Sequence, residues 1–427
     1  MSDALTTMSL PIDPDDESPC PLGATYMPFA GPHVTDPHPF FERLRAEEPV
    51  TYSPVLDMWL VSRYDDICAV LRDPSRFSNR DMLGSGAHVT PEAGAVLARG
   101  YDTSHVLLGM DPPAHTRLRR LTNRGFSAKR IAAMAPFVRE RTAALIDGFA
   151  DAGEADLVEQ LLYPLPVQVI LGVMGVPTED MWRIKQWSTD WQRLAFEPVP
   201  PDEQVAMAEG VLEFQQYCLE LIADRRAAPR EDLTSYLIEA ESDGEKLSDH
   251  ELVMAIGASM LSAGHESTTA LIANAWKLAL EHDQWERLRE DRSLLLPFLE
   301  ETCRYDSVSH AMIRTANEDV TVGDVAIPAG SKLMLLYGAG SRDESLCPHA
   351  DVLDPAREAA PRHLTFGRGT HFCLGAPLAK LQYEIATEAL LDRLPPLRLV
   401  PDQDHGIWQS VVLRQMRHLR VTWETGA

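Results

Sequence analysis

The stretch FGRGTHFCLG, Phe366 to Gly375, sets one cysteine among three glycines, an arginine and a histidine. The run after it, APLAKLQYEIATEALLDRL, has apolar residues at helical spacing and Pro377 in its first turn, where proline fits. Cys373 therefore stands just before a helix N-terminus, where unpaired amides and the helix dipole favour an anionic sulfur and lower the thiol pKa. Gly367 and Gly369 permit a tight turn that aims further N–H groups at it. The arrangement suits a thiolate that stays charged while bound to a metal. Two other uses of the residue stay open. One is a buried structural cysteine; the other is a catalytic nucleophile, although no histidine–asparagine pattern is evident near it.

A second group, Gly264 to Thr269, places a glycine, a histidine, a carboxylate and three hydroxyls inside the apolar run SDHELVMAIGASMLSAGHESTTALIANAWKLALEHD. Ser248 and Glu251 form a capping box at its start, and about 34 residues of helix would span roughly 50 Å, enough to cross a domain. Apolar residues on nearly every side imply burial, where a glycine and a carboxylate each cost stability. The zinc-protease pattern HExxH fails, because Thr269 stands where the second histidine is needed. His115 and Arg119 lie one helical turn apart and can face one partner, and Glu301 and Arg304 share a face at i, i+3. Glu286 and Arg289 have the same spacing, so it carries no meaning alone.

The string Phe366-Gly367-x-Gly369-x-His371-x-Cys373-x-Gly375 resembles the haem-binding loop of the cytochrome P450 family at every fixed position, and the resemblance runs from about Pro37 to Trp423. It implies a haem b cofactor with Cys373 as thiolate ligand to the iron, the sulfur helping to cleave an O–O bond. The central stretch resembles the family's Ala-Gly-x-Asp/Glu-Thr motif. By that resemblance Gly264 opens space for dioxygen, and Glu266 with Ser267 relays protons to it. Serine stands where threonine is usual, so the hydroxyl is kept with a freer rotamer. His115 and Arg119 match the family's H-x-x-x-R and, with Arg314 and His371, are expected to hold the haem propionates. Glu301, Arg304 and Arg357 are expected to form a buried structural network behind the haem loop. The loop Asn79–Asp111, the lid Trp182–Pro201, and the segments VSHAM and GIWQS would face the substrate.

The implied activity is insertion of one atom of dioxygen into an apolar organic small molecule, as in natural-product tailoring or xenobiotic or lipid oxidation. Electrons would come from NAD(P)H through a ferredoxin reductase and a ferredoxin. A peroxide-driven peroxygenase is an alternative that Glu266 and Ser267 argue against. A haem gas sensor or carrier is another, and it would not need a buried Glu266.

The elements that must position these residues are mostly helical, with small peripheral sheets. Strands are expected in VTYSP, MWLVS, DVTVGDVAIPAGSKLMLLYG and RHLRVTW, and a long loop from Asn79 to Asp111. The fold class is α+β, and the resemblance implies haem between the long central helix and the cysteine loop. A hydrophobic share of 45% and a charged share of 24% are those of a globular protein. No run of eighteen apolar residues predicts a membrane span. The acidic start MSDALTTMSLPIDPDDESPCPLG lacks a signal-peptide pattern. It is expected to be a flexible leader, residues 1–30, before one domain, 31–427, of a cytoplasmic monomer. Six scattered cysteines without a CxxC pair argue against zinc and against a disulfide framework.

A net charge of −25 argues against nucleic acid or an anionic membrane as partner. One region breaks the trend. Between Asp111 and Glu140 there are seven cations and no acid: Arg117, Arg119, Arg120, Arg124, Lys129, Arg130 and Arg139. The 100° helical step turns Arg117 and Arg124 away from the His115 face. Arg117, Arg120 and Arg124 are therefore expected to dock a ferredoxin.

Overall fold

The alternating run from Val50 folds back at Asp57, whose φ of 53° closes the turn, and Val50–Ser53 pairs antiparallel with Met58–Val61. A computed structural model describes residues 21–83, 89–242, 244–357, 362–408 and 410–425. Lys332–Leu335 joins Met58–Val61 in parallel, Met312–Ala316 follows antiparallel, and Phe77–Ser78 forms the edge of this five-stranded sheet. In that register Leu333 lies opposite both Trp59 and Arg314, which fixes where Arg314 leaves the sheet. Smaller sheets join Val320–Val322 to Val325–Ile327, and Arg398–Leu399 to Arg420–Thr422 and Glu154–Asp156. All four expected strand regions are present.

Helices form the rest of the body. Pro164–Met174 is apolar on every side and almost wholly buried, and it ends at Gly175, whose φ of 70° is the left-handed region that favours glycine. Ala376–Arg393 starts behind the cysteine loop with proline in its first turn, as expected. Two large apolar clusters result. One gathers Leu271, Trp276, Phe298 and Tyr383 around the helices Glu266–Glu281, Leu295–Tyr305 and Ala376–Arg393. The other gathers Ile170, Ile184, Phe214, Ile256 and Leu261 around Pro164–Met174, Met181–Phe196 and Pro201–Ala227. A large side chain taken wholly out of water contributes roughly 1.5–3 kcal/mol, so these clusters dominate the stability.

Glu301 accepts hydrogen bonds from Arg304 (2.9 and 2.7 Å) and Arg357 (3.0 Å). Both arginines also donate to the Val352 carbonyl. The expected network is present, and it pins the chain ahead of the cysteine loop. Glu300, next along the same helix, meets His363 at 3.1 Å and Lys380 at 2.5 Å.

Two expectations need correction. Residues 21–30 are packed, not loose: Tyr26 is 1% exposed and stacks on Phe40, and the Leu22 amide donates to Glu48. Residues 1–20 of the expected leader lie outside the described residues. The long central helix is not continuous. The capping box at Ser248 opens a short α-helix, Asp249–Val253, which passes into a π-helix, Met254–Ser262. A break at Ala263–His265 follows, and a new α-helix runs from Glu266 to Glu281. Side chains explain the break. His265 Nδ1 bonds the Leu261 carbonyl, and Ser267 Oγ donates to the Ala263 carbonyl, both at i−4. Such back-bonding competes with the backbone ladder, and a wider i→i+5 turn takes up the slack.

Candidate active site

Gly367 and Gly369 hold φ values of 68° and 70°. The resulting turn lets the Cys373 amide donate to the Phe366 carbonyl at 2.8 Å. The amides of Gly375 and Ala376, at the start of the following helix, reach the Cys373 sulfur. The expected lowering of the thiol pKa is not what results. Burial pushes the Cys373 thiol up, and the Gly375 amide, the Arg119 charge and the Ala376 amide offset only part of that. Desolvation wins because the sulfur faces an apolar cavity; a coordinated cation would take the proton's place outright.

That cavity, of about 340 Å³, runs between the cysteine loop and the broken helix. Across it from Cys373 lie Ala263, Gly264, Ser267 and Leu271. Gly264 lines the cavity, but a Cβ there would run into the Met260 carbonyl (2.5 Å) and Ile170 (2.8 Å). The glycine therefore serves the break and its packing; the free space expected of it is not where a side chain would point.

Glu266 is buried and heavily held. Oε1 lies 2.9 Å from Lys185 Nζ and 3.4 Å from His265 Nε2, and Oε2 accepts from Gln415 Nε2 at 3.0 Å. Lys185 also sits 3.3 Å over the Tyr163 ring. Burial pushes the Glu266 carboxyl up, but contact with His265 and Lys185 outweighs it and holds the group far below the usual range. In this arrangement Glu266 is a carboxylate, an acceptor and not a donor of protons.

At one end of the cavity the expected cations converge. The rings of His115 and His371 stand 4.1 Å apart, with Arg119 and Arg314 beside them. Both nitrogens of buried His115 lack a hydrogen-bond partner. Burial first, then His115, Arg314 and Arg119, push the His371 pKa down to about 3. Arg314 is buried, donates to the Ile313 carbonyl and meets the Tyr337 hydroxyl. A buried ring with both nitrogens unpaired, beside two guanidinium groups out of water, is costly without an anion. The set fits a cofactor with two carboxylates at one edge. Among the described residues no group of three or more His, Cys, Asp or Glu is arranged to hold a metal.

Sequence reasoning gave several site residues only as parts of segments, or not at all. Lys185 of the lid and Asn79 of the loop, whose amide meets His371 at 2.9 Å, touch the site, as does Gln415, which lies outside every expected segment. Glu197 accepts from the Trp408 indole at the cavity wall. A lysine on the buried face of WRIKQWSTDW was the one signal available. Trp187 and Trp191, one turn apart on the helix Met181–Phe196, part company: Trp187 packs on Phe214 in the core, while Trp191 lines the cavity.

The basic island changes most. Arg117 pairs with Glu251 and also donates to the Lys246 carbonyl, and Arg120 reaches Ser242 Oγ. The hairpin Glu241–Lys246 brings acids and acceptors over the helix Ala114–Gly125. An island free of acid along the chain is not free of acid in space. Arg124 and Lys129 stay exposed.

A cysteine sulfur under amides, facing an apolar slot with cations at one edge, is the protein half of a haem-thiolate oxidoreductase. The family model for cytochrome P450 matches residues 181–415. The chain is 39% identical to nocardicin C N-oxygenase of Nocardia uniformis subsp. tsuyamanensis, over 93% of this chain and 98% of that one. It is 38% identical to the cytochrome P450 monooxygenase PikC of Streptomyces venezuelae, over 95% and 94%. Its fold superposes on a solved cytochrome P450, CREJ in complex with (4-ethylphenyl) dihydrogen phosphate, with a TM-score of 0.89 and 31% identity, over 94% of this chain and all of that one. The chain belongs to the cytochrome P450 family. It is a monooxygenase whose cofactor is haem b. Among the described residues no helix is long and apolar enough to cross a membrane.

Proposed function

We propose that this chain oxidises an apolar natural product in the cytoplasm, as a monomer, with electrons from NAD(P)H delivered through a ferredoxin reductase and a ferredoxin. The observation that carries the reading is the pairing of the Cys373 sulfur, under the Gly375 and Ala376 amides, with the Gly264–Ser267 break across one apolar cavity. Relatives named for oxidising nocardicin C and 6-deoxyerythronolide B support the substrate class.

Haem, when bound, supplies the iron at which dioxygen is activated. Cys373 would be its protein ligand. Phe366, Gly367, Gly369 and Gly375 would shape the loop beneath it, with Gly264 on the opposite wall. His115, Arg119, Arg314 and His371 would bind the two propionates, and the unpartnered His115 ring gains most from them. Ser267 holds its proton toward the Ala263 carbonyl, leaving oxygen lone pairs for a proton arriving from elsewhere. Glu266 would take protons from the Lys185 side and hand them on when its carboxylate turns from that cation. Arg124 and Lys129 would meet the ferredoxin on the cysteine side.

Reduced protein under carbon monoxide should show the red-shifted Soret band of thiolate-ligated haem. Cys373→Ala should lose that band, and its persistence would refute the ligand assignment. A spectral titration of the Soret band against a library of macrolides, peptides and simple hydrocarbons then identifies the substrate class. Displacement by hydrocarbons alone would overturn the natural-product reading.

A further inference from the structure

Glu266 is held by two hands from two different elements. Lys185 reaches Oε1 from the helix Met181–Phe196, and Gln415 reaches Oε2 from the segment that closes the chain's cavity wall. Gln415 is 6% exposed and is fixed at its backbone, where its carbonyl accepts from the Trp408 amide at 2.7 Å. Two and three residues before it, Leu413 and Val412 line the cavity. Lys185 and His265 both meet Oε1, so these two alone would leave the carboxylate free to pivot about that oxygen. The second bond, to the other oxygen, fixes the plane of the group.

We propose that Gln415 is the positioning residue that sets the orientation of the Glu266 carboxylate, and so the geometry from which Glu266 passes protons toward Ser267. The proposal rests on the reading of Glu266 as the proton carrier. Gln415 has no proton to contribute at neutral pH; its amide N–H acts only by holding Oε2. A neutral donor suits this task, because a second cation there would tighten the carboxylate's hold on its charge and hinder the turn. Because the same short segment carries Val412 and Leu413, a molecule pressing on the cavity wall also presses on this bond.

The test uses haem-loaded Gln415→Leu, which keeps the volume and removes the donor, with Glu266→Gln in parallel. The first readout needs no turnover. The infrared carboxylate stretch of Glu266, identified as the band missing from Glu266→Gln, should shift in Gln415→Leu. An unmoved band overturns the proposal. The second readout is dealkylation of 7-ethoxycoumarin with a surrogate ferredoxin, scored as product formed per NADPH. That ratio should fall about tenfold in Gln415→Leu, the scale of one lost hydrogen bond to a buried charge. The solvent isotope effect should change, while the carbon monoxide band of the reduced protein keeps its wild-type position and amplitude. Loss of that band together with the ratio, at an unchanged isotope effect, would mean that Gln415 merely supports the fold. If Glu266→Gln lowers the ratio and Gln415→Leu does not, this proposal fails alone. If neither lowers it, the proton role of Glu266 fails and takes the proposal with it.

Discussion

Lys185 and Glu266 are 81 residues apart in sequence and 2.9 Å apart in space, and neither side chain is more than 5% exposed. Breaking such a pair from one side leaves a buried charge without its partner and costs about 3–5 kcal/mol. Lys185→Met should cost less than that in urea unfolding at neutral pH. With the cation gone, burial raises the Glu266 carboxyl, and the group can take a proton in place of its partner. An infrared C=O band of a protonated carboxyl should then appear near neutral pH, and vanish in Lys185→Met with Glu266→Gln; its absence would mean that His265 alone keeps the charge. Ser267 is simpler. Ser267→Ala should leave haem and ligand binding intact while more NADPH ends as hydrogen peroxide, and Ser267→Thr should not. Loss of a positioned proton donor costs about a hundredfold or more in the step it serves, so an unchanged peroxide yield would remove Ser267 from proton delivery.

At the scale of elements, the cysteine loop is braced from both sides. Glu300 on Leu295–Tyr305 joins His363 ahead of the loop to Lys380 on Ala376–Arg393 behind it. Burial raises the Glu300 carboxyl, but His363 and Lys380 overcome it and bring it down to about 2. A depressed carboxyl stabilises the fold fully above its unfolded value and loses that contribution as pH falls through the folded one. Glu300→Gln should therefore unfold more readily than wild type at pH 7, by about 1–2 kcal/mol once solvent screening is allowed for. The two unfolding curves should converge between about pH 4 and pH 2. A difference that persists at pH 2 would assign the loss to packing.

The loop itself was legible in the sequence because glycines at positive φ and a helix start leave local signals. So was the capping box at Ser248. The π-turns and the break at Ala263–His265 were not, since the side chains that take the Leu261 and Ala263 carbonyls are compatible with an intact helix by spacing alone. Nor were Lys185 and Gln415, whose role depends on which segments the fold brings to Glu266. The Arg117–Glu251 pair makes the same point for the basic helix: local composition says nothing of what a distant hairpin lays across it.

For the whole molecule, a net charge of −25 repels an acidic redox protein almost everywhere. Arg124 and Lys129 are among the cations that stay exposed on the island, with Arg130 and Arg139. Reduction by a ferredoxin should slow as salt rises, mainly in the on-rate, because screening sets in beyond about 8 Å at physiological ionic strength. Arg124→Glu with Lys129→Glu should slow it further at low salt and leave ligand-induced spectral shifts alone; wild-type reduction rates in that variant would place the docking face elsewhere. The cavity has a different consequence. Ile170 and Met260 of one apolar cluster and Leu271 and Leu378 of the other share its walls, so a cofactor seated there would pack against both. A ligand that binds only the folded chain adds about 4 kcal/mol at a thousandfold excess over its Kd. Iron supply would thereby bear on abundance. In a cell starved of iron, the half-life of this chain in a pulse-chase should shorten while its messenger RNA holds steady, and an unchanged half-life would mean that the two clusters hold together unaided.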